Sequence, residues 1–147
     1  MIREIITAPN DILTTKAESV LNPQEYKDFI VDLIDTFRAN PAVGLAAPQI
    51  GLSRRIMVIG ETAPMVILNP GVIKHSDRKE TMPEGCLSLP GVMVEVPRYL
   101  WITLGGMDEY RNLITLSLSG LMARVAQHEL DHINGILIDS YSKERIP

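Results

Sequence analysis

The sequence of 147 residues is poor in several residue types that would assign it to a particular class of protein. A single cysteine cannot form a disulfide within the chain, which suits a reducing compartment. A net charge of −4 leaves no excess of basic residues for binding nucleic acid or an anionic membrane. No apolar run approaches the ~20 residues of a transmembrane helix, and the residues after Met1 do not resemble a signal peptide. We therefore expect a cytoplasmic protein without direct nucleic-acid or membrane binding.

The composition that remains is typical of a folded globular domain. Hydrophobic residues make up 46% of the chain and charged residues 22%. The length is sufficient for one hydrophobic core, and the sequence contains neither repeats nor a linker. We therefore predict a single catalytic domain spanning residues 1–147.

Histidine is also scarce, yet two of the three histidines lie together in residues 127–132 (QHELDH). Residues four apart lie on one face of a helix, so His128 and His132 can bind a single cation. Glu129, next to the first histidine, can act as a general base toward water at that cation. This HExxH pattern predicts a metal-dependent hydrolytic site.

Two histidines are an incomplete set, because catalytic zinc-like sites usually have three protein ligands. The longer pattern HExxHxxGxxH would need histidine at Ile138, which excludes the metzincins. The carboxylates of Asp139 and Glu144 follow the motif but lie close to the end of the sequence. Upstream, Cys86 lies in residues 83–91 (PEGCLSLPG) and could supply a thiolate.

The periodicity predicts two helices. Asn22 and Pro23 are typical of a helix start, and Asn40 before Pro41 is typical of its end. Apolar residues recur at helical spacing between them, which indicates an amphipathic helix. A second helix would begin near residues 119–120 and end before Gly135, with the histidines continuing its apolar, core-facing stripe.

Short apolar runs between these helices predict strands. The runs are 56–59, 65–68, 72–73, 92–96, 100–104 and 113–118. Pro97 predicts an edge or a bend after the fourth run, and Gly105 and Gly106 predict a connection before the last. The expected fold class is α+β, with antiparallel strands around a central metal-binding helix and an N-terminal amphipathic helix.

Three other segments predict irregular structure. Residues 1–20 indicate an extended lead-in, and His75, among polar neighbours, a solvated loop. Residues 42–51 (AVGLAAPQIG) contain small residues that let a backbone approach a ligand closely. Within them, Gln49 is consistent with a structural amide in a tight loop or with a functional group.

Three separated motifs resemble those of the peptide deformylase family. They are 44–49 (GLAAPQ), 84–88 (EGCLS) and 127–132 (QHELDH), and their order and spacing also fit. The resemblance implies a metal-dependent hydrolase that removes the N-formyl group from nascent polypeptides beginning with formyl-methionine, with the ribosome exit region as a transient partner. It also favours the functional interpretation of Gln49.

The resemblance further implies a role for each matching position. Cys86, His128 and His132 would bind one divalent ion, ferrous iron in bacterial members, with zinc, nickel or cobalt as alternatives. Glu129 would be the acid and base, and the developing oxyanion would face the Gln49 amide and the Leu87 backbone N–H. The implied substrate-binding residues would pair with the peptide backbone or line the methionine pocket: Val43, Gly44, Gly85, Met82, Leu121 and Val125.

The sequence departs from the family pattern in three places. Ala42 stands where glycine is usual, which would cost about 1 kcal/mol if the backbone required a positive φ there. Arg124 replaces an aliphatic residue that many members place near the pocket. The additional C-terminal helix of longer members is expected to be missing.

Three other classes of protein share part of this pattern. A metallopeptidase could use the same HExxH, but it would need a downstream third ligand. A non-catalytic metal-binding relative would usually lack Glu129 or Gln49, and both are present. A structural zinc site would normally have a fourth cysteine or histidine ligand.

Overall fold

The computed structural model describes residues 1–144. The helices are α1 (Lys27–Ala39), α2 (Gly120–Ile133) and α3 (Asp139–Glu144). The strands are β1 (Gly44–Ala46), β2 (Ile56–Ile59), β3 (Met65–His75), β4 (Lys79–Cys86), β5 (Leu89–Tyr99), β6 (Trp101–Met107) and β7 (Leu113–Ser119). None of the helices in this part of the chain is long and apolar enough to cross a bilayer. The predicted domain boundary at residue 147 lies outside the described residues.

All strands pair antiparallel, in a five-stranded sheet of order β1-β2-β3-β6-β7 and a two-stranded sheet of β4 and β5. Strand β2 explains how the larger sheet is covered. Ile56 and Val58 pack in the core that contains α1, whereas Met57 and Ile59 pack in the core that contains α2. Because side chains alternate between faces along a strand, the sheet lies between the two helices. The predicted α+β architecture is confirmed.

The N-terminal amphipathic helix begins and ends close to where the sequence predicts. The Asn22 side chain accepts a hydrogen bond from the Gln24 backbone N–H and caps a 3-10 turn, Pro23–Tyr26, that leads into α1. At the other end Asn40 has extended geometry, as expected for a residue before Pro41. The buried face of α1 comprises Phe29, Ile30, Leu33, Thr36 and Phe37.

The predicted second helix is α2, and Gly135 ends it. Gly135 has φ of +75°, and its N–H donates to the His132 carbonyl. Ser119 occupies the N-cap position, but its side chain makes no capping hydrogen bond within residues 1–144. The helix packs between the larger sheet and β5, so that its histidine face looks toward β4 and β5.

Several strands are longer than the apolar runs predict. The runs 65–68 and 72–73 form one strand, β3, because bulges between Leu68 and Lys74 absorb the break in pattern. Gly105 and Gly106 lie inside β6 rather than in a connection. Strand β5 continues through Pro97 because in a two-stranded sheet one edge of each strand needs no backbone donor.

Strand β4 itself is missing from the sequence-based prediction. Its residues (KETMPEGC) are mostly exposed and polar, so no alternation of apolar side chains marks it. It is stabilised by antiparallel pairing with β5, from Lys79 opposite Tyr99 to Cys86 opposite Leu89. A strand of this kind is detected only through its partner.

Residues 42–51 form regular structure rather than the expected loop. Strand β1 leads directly into a 3-10 turn, Ala47–Ile50, and every residue of that turn is buried. Ala42 is not among the residues with positive φ, so alanine in place of glycine costs no backbone strain.

The first 20 residues do more than lead into α1. The Ile6 N–H donates to the Gln49 carbonyl, and the Ala8 N–H donates to the Ser88 carbonyl. The Ala17 N–H donates to the carbonyl of Ile133, the last residue of α2. The segment therefore bonds to the last residue of each of the first two motifs and to the residue directly after the third.

A short third helix follows α2, in addition to the two helices that the periodicity predicts. Helix α3 has six residues and packs against β5. Tyr141 on α3 and Ile138 before it lie in a small core with Val94 and Val96. Leu137 and Ile138, which precede α3, are thereby buried.

Gly135 makes the fold testable. A Cβ atom there would lie 2.9 Å from backbone atoms of Thr14 and Thr15, in addition to the strain of φ +75°. Gly91 is the matched control, because it has φ of +76° but no atom of the described residues within 4 Å of its Cβ position. Gly91→Ala is expected to destabilise by about 1 kcal/mol, and Gly135→Ala by about 1–3 kcal/mol more from overpacking. Urea unfolding at equal metal loading measures both, and equal losses would contradict the contact.

Candidate active site

Cys86, His128 and His132 lie together in the structure. The Cys86 Sγ is 3.3 Å from His132 Nε2, and the two histidine Nε2 atoms are 3.2 Å apart. Residues 1–144 contain one group of three or more potential metal ligands with donor atoms this close, and it consists of these three residues. The downstream carboxylate of Asp139 is not part of it, and the side chain of Glu144 lies outside the described part of the chain.

A bulged strand and a helix face produce this convergence. Glu84 and Cys86 lie on β4 on either side of a bulge, and both side chains reach α2. His128 and His132 are four apart on α2 and therefore lie one turn apart on the same face. Each residue of the strand pair meets one of the helix pair, Glu84 with His128 and Cys86 with His132.

The separations fit a bound divalent ion. With metal–nitrogen and metal–sulfur bonds of about 2.0–2.1 and 2.3 Å, tetrahedral ligand atoms lie roughly 3.4–3.6 Å apart. His132 Nε2 lies 3.2 Å from His128 Nε2 and 3.3 Å from Cys86 Sγ, which is close to that spacing. The three side chains would need only a small movement to bind an ion. Thiolate and imidazole donors suit iron, zinc, nickel and cobalt alike. The donor set therefore fits a divalent metal.

Glu84 fixes the orientation of His128. Its Oε1 accepts from His128 Nδ1 at 2.9 Å, which leaves Nε2 facing the other ligands. Arg98 donates to both carboxylate oxygens, at 2.9 and 3.0 Å, and Arg124 donates to Oε2 at 2.7 Å. Burial disfavours the ionised carboxylate, but the hydrogen bonds from Arg98 and His128 lower the pKa of Glu84 to about 2.

The network continues from Arg98 into the end of the chain. Arg98 is 3% exposed and donates to Asp131 at 2.6 Å and to the Tyr141 hydroxyl at 3.3 Å. Tyr141 also donates to Asp131 at 2.6 Å. Sequence reasoning assigned no role to these residues or to Glu84. The signal for a functional role of Glu84 was its place in the motif 84–88 (EGCLS), two residues before the cysteine. Nothing in the local sequence marks Arg98.

Glu129 is buried beside the three ligands. It is 4% exposed, and its Oε1 has no hydrogen-bond partner among residues 1–144. Its Oε2 lies against Gly44, where a Cβ atom would be 2.6 Å away. Burial raises the pKa of Glu129 to about 7, although the charges of His128 and Arg98 oppose the shift. A buried carboxylate oxygen without a partner is unusual in a structural residue.

Gln49 is held with its amide nitrogen toward Cys86. Its Oε1 accepts from the Ala46 backbone N–H at 3.0 Å, so Nε2 must point the other way. That Nε2 donates to Ser88 Oγ at 3.1 Å and lies 3.9 Å from Cys86 Sγ. Ser88 is completely buried and orients the amide, a role that sequence reasoning did not assign.

These groups open onto a cleft of about 630 Å³. Most of the residues predicted from the resemblance line it: Val43, Gly44, Gln49, Gly85, Cys86, Leu87, Leu121, Val125, His128 and Glu129. His132 is 2% exposed and lies behind them. Met82 instead lines a neighbouring cavity of about 320 Å³. His75 is exposed at the end of β3, stacks on Tyr99, and is not part of the cluster.

Comparison with known proteins gives a consistent result. The family model described as Polypeptide deformylase matches residues 2–145. A peptide deformylase of Desulforudis audaxviator is 41% identical over 91% of this chain and 89% of its own length. A peptide deformylase of Aquifex aeolicus is 42% identical over 92% of this chain and 85% of its own length. The crystal structure of peptide deformylase from Thermotoga maritima superimposes with a TM-score of 0.91 at 33% identity, covering 95% of this chain and 97% of that one.

An antiparallel α+β fold with a cysteine and an HExxH helix converging on one cleft defines a metal-dependent hydrolase. The chain belongs to the peptide deformylase family, whose members act on formylated nascent peptides. The recognition from three sequence motifs is thereby confirmed.

The ligand set can be tested by metal content. Cys86→Ala removes the only sulfur donor of the cluster and is expected to lose bound divalent metal and some folding stability, because metal binding and folding are coupled in such sites. His75→Ala is the matched control and should keep the metal content of the parent. Elemental analysis of both purified variants decides, and full occupancy in Cys86→Ala would remove Cys86 from the ligand set.

The contact between Gly44 and Glu129 gives a second test. A Cβ at Gly44 would lie 2.6 Å from Glu129 Oε2 and 2.8 Å from Val125 Cγ1, so the carboxylate must move. Gly44→Ala should keep its metal and lose activity on a formyl-methionyl peptide by about 10²-fold, the usual effect of misplacing a reacting group by about 1 Å. Gly71→Ala is the control, since no described atom lies within 4 Å of its Cβ position. Parent-like turnover in Gly44→Ala would show that Glu129 tolerates displacement.

Proposed function

We propose that this chain hydrolyses the N-terminal formamide of formyl-methionyl peptides with Glu129, Gln49 and Leu87 as the reacting or stabilising groups. The observation that carries this proposal is the convergence on one cleft of a buried unpaired carboxylate, an oriented amide and a three-donor ligand set. Each supplies one requirement of amide hydrolysis: proton transfer, stabilisation of an oxyanion and activation of water.

Cys86, His128 and His132 are the proposed ligands, and ferrous iron is the proposed ion. A divalent ion bound there would polarise the formyl oxygen and lower the pKa of water. The chain contributes the orientation: Glu84 keeps His128 Nε2 directed at the other donors, and the bulged hairpin of β4 and β5 brings Cys86 up to the helix.

Glu129 is the proposed acid and base. Its carboxylate borders the cleft beside the proposed ligands and lies against Gly44. From that position it can take a proton from the attacking water and return it to the departing amine nitrogen. Because the free Oε1 has no other partner within the described residues, the carboxylate is available for a hydrogen bond that forms during reaction.

Gln49 and Leu87 are proposed to stabilise the oxyanion. The Gln49 Nε2 is fixed by Ser88 and by the Ala46 bond to its oxygen, so its dipole needs little reorganisation. Leu87 lies in the turn between β4 and β5, next to Cys86, where its backbone N–H can face the same oxygen. A preorganised donor of this kind contributes roughly 3 kcal/mol.

The peptide backbone is proposed to lie between β1 and β4. Strand β1 is at the edge of the five-stranded sheet, and Val43 and Gly44 line one side of the cleft while Gly85 lines the other. An extended peptide could therefore pair with exposed strand edges. Leu121 and Val125 would contact the methionine side chain, whereas Met82, which the resemblance also implied for this pocket, lines the neighbouring cavity instead.

Selectivity for a formyl group follows from the crowding at the reaction centre. A formyl carbon carries only hydrogen, whereas an acetyl group would place a methyl between Gln49, Cys86 and Glu129. The formyl carbonyl is also the more electrophilic of the two. A charged first residue is disfavoured because a pocket of Leu121 and Val125 would leave the charge unpaired.

The cellular setting belongs to the same proposal. Formyl-methionyl chains are exposed as they leave the ribosome, so we place the protein in the cytoplasm, with a transient encounter at the exit region. The net charge of −4 favours a passing contact rather than stable binding to RNA.

The test is release of formate. Protein loaded with ferrous iron under low oxygen is expected to deformylate a formyl-Met peptide and to leave acetyl-Met and internal amide bonds essentially intact. Formate and free amine are measured in the same reaction. Cleavage inside an unformylated peptide would favour a metallopeptidase, and no turnover of any formyl peptide with metal bound would favour a non-catalytic relative.

Glu129→Gln is the control that separates metal binding from proton transfer. The substitution keeps the shape of the side chain and touches none of the three ligands, so metal content should stay at the parent level. Activity should fall by about 10²–10⁴-fold, the usual contribution of a general acid–base. Parent-like turnover in the fully metallated variant would remove Glu129 from the mechanism.

A further inference from the structure

Arg124 is fixed in place from three directions. Its Nη1 donates to Glu84 Oε2 at 2.7 Å and to the Val96 carbonyl at 2.9 Å, and its Nη2 donates to the Glu80 carbonyl at 2.6 Å. The side chain is 12% exposed. These bonds attach one residue of α2 to both strands of the β4–β5 sheet. A guanidinium held by carboxylate and carbonyls in this way has little freedom to move aside.

Arg124 also lies where two cavities meet. The cleft of about 630 Å³ and the neighbouring cavity of about 320 Å³ share two lining residues, Leu121 and Arg124. Leu121 is 54% exposed, so the buried part of the boundary is Arg124. The second cavity has an apolar side formed by Met82, Tyr99 and Leu100. This explains why Met82, expected in the methionine pocket, lies outside the cleft.

We infer that Arg124 is a specificity-determining residue that closes the side-chain pocket and separates it from the apolar cavity behind. The pocket then accepts an unbranched side chain of about the length of methionine and excludes longer ones. Without the guanidinium, the two cavities join, and a longer apolar side chain can continue toward Met82 and Leu100. Within the described residues Arg124 donates to Glu84 and to two backbone carbonyls, and to none of the proposed ligands or reacting groups, so its effect is expected on selection of the first residue.

This inference rests on the proposed function, and the experiment is chosen so that the two fail differently. Three formyl tripeptides are compared that differ only in their first residue: methionine, norleucine and 2-aminooctanoic acid. Norleucine has the length of methionine without sulfur, and 2-aminooctanoic acid is two methylenes longer. The quantity measured is the ratio of kcat/KM for 2-aminooctanoic acid to that for norleucine, in the parent and in Arg124→Ala.

In Arg124→Ala this ratio is expected to rise by roughly tenfold or more, the gain from burying two further methylenes. Arg124→Ala also removes one donor from Glu84, which can lower every rate through His128. A ratio of two substrates on one enzyme preparation cancels that common loss. Arg124→Lys keeps the charge and most of the stem, and it should leave the ratio near that of the parent.

A second-site change tests the route taken by the longer side chain. Leu100 lines the neighbouring cavity of about 320 Å³ but not the cleft. Leu100→Phe alone should leave the ratio unchanged, whereas in the Arg124→Ala background it should bring the ratio back toward the parent value. Calorimetric binding of the deformylated tripeptides to zinc-loaded protein should follow the same order, independently of turnover.

Failure of the inference on Arg124 and failure of the proposed function give different results. If the parent deformylates the methionine and norleucine peptides but Arg124→Ala leaves the ratio unchanged, the inference is wrong and the proposed function stands. A parent enzyme that already accepts 2-aminooctanoic acid as well as norleucine also overturns it. If the parent deformylates no peptide, the proposed function fails first. Where Arg124→Ala does not fold, Arg124→Ser opens the same boundary with a small polar side chain, and the same ratio is measured.

Discussion

The Glu84 carboxylate is the interaction on which most of the site depends. It is 8% exposed and accepts hydrogen bonds from Arg98, Arg124 and His128. These donors come from β5 and α2, whereas Glu84 itself lies on β4. One carboxylate therefore joins the small sheet to the metal-binding helix. Around it, two arginines balance the charges of Glu84 and Asp131, which is the condition under which buried ions are tolerated.

A buried ionic cluster of this kind adds little to stability compared with an apolar core, because the loss of hydration offsets most of the attraction. Its main effect is to hold the Glu84 carboxylate and the side chains bonded to it in one arrangement. A carboxylate with four donors has no second arrangement of similar energy, and the histidine that it holds has one tautomer and one orientation. Glu129, next to His128 in the sequence, is the opposite case, because its Oε1 has no hydrogen-bond partner in residues 1–144. Of these two buried carboxylates, Glu84 has both oxygens bonded and orients His128, whereas Glu129 has one oxygen without a partner in the described residues and is the proposed acid and base.

An element of this fold could be predicted from the sequence where its apolar residues recur at regular spacing. Helices α1 and α2 carry apolar stripes with end signals at Asn22 and Gly135, so both were predicted, although a 3-10 turn, Pro23–Tyr26, precedes α1 where the helix was expected to begin. The candidate ligands Cys86, His128 and His132 were predicted from the HExxH pattern and from the resemblance that the three motifs carry. Strand β4 was missed because its side chains are exposed and its pairing is with a partner that only the fold reveals. The same reason hides Arg98: a buried arginine is recognised by the acids around it, and those come from distant positions.

The N-terminal segment shows a constraint of another kind. Its backbone N–H groups at Ile6 and Ala8 donate to the carbonyls of Gln49 and Ser88, the two residues whose side chains bond each other beside Cys86. Backbone hydrogen bonds are nearly independent of side-chain identity, so no pattern in residues 1–20 could have announced them. They nevertheless fix the positions from which the amide and the hydroxyl are projected. The position of Gln49 thus depends on a segment whose regular structure is one 3-10 turn, Asp11–Thr14, and whose contacts with the candidate site no side-chain pattern predicts.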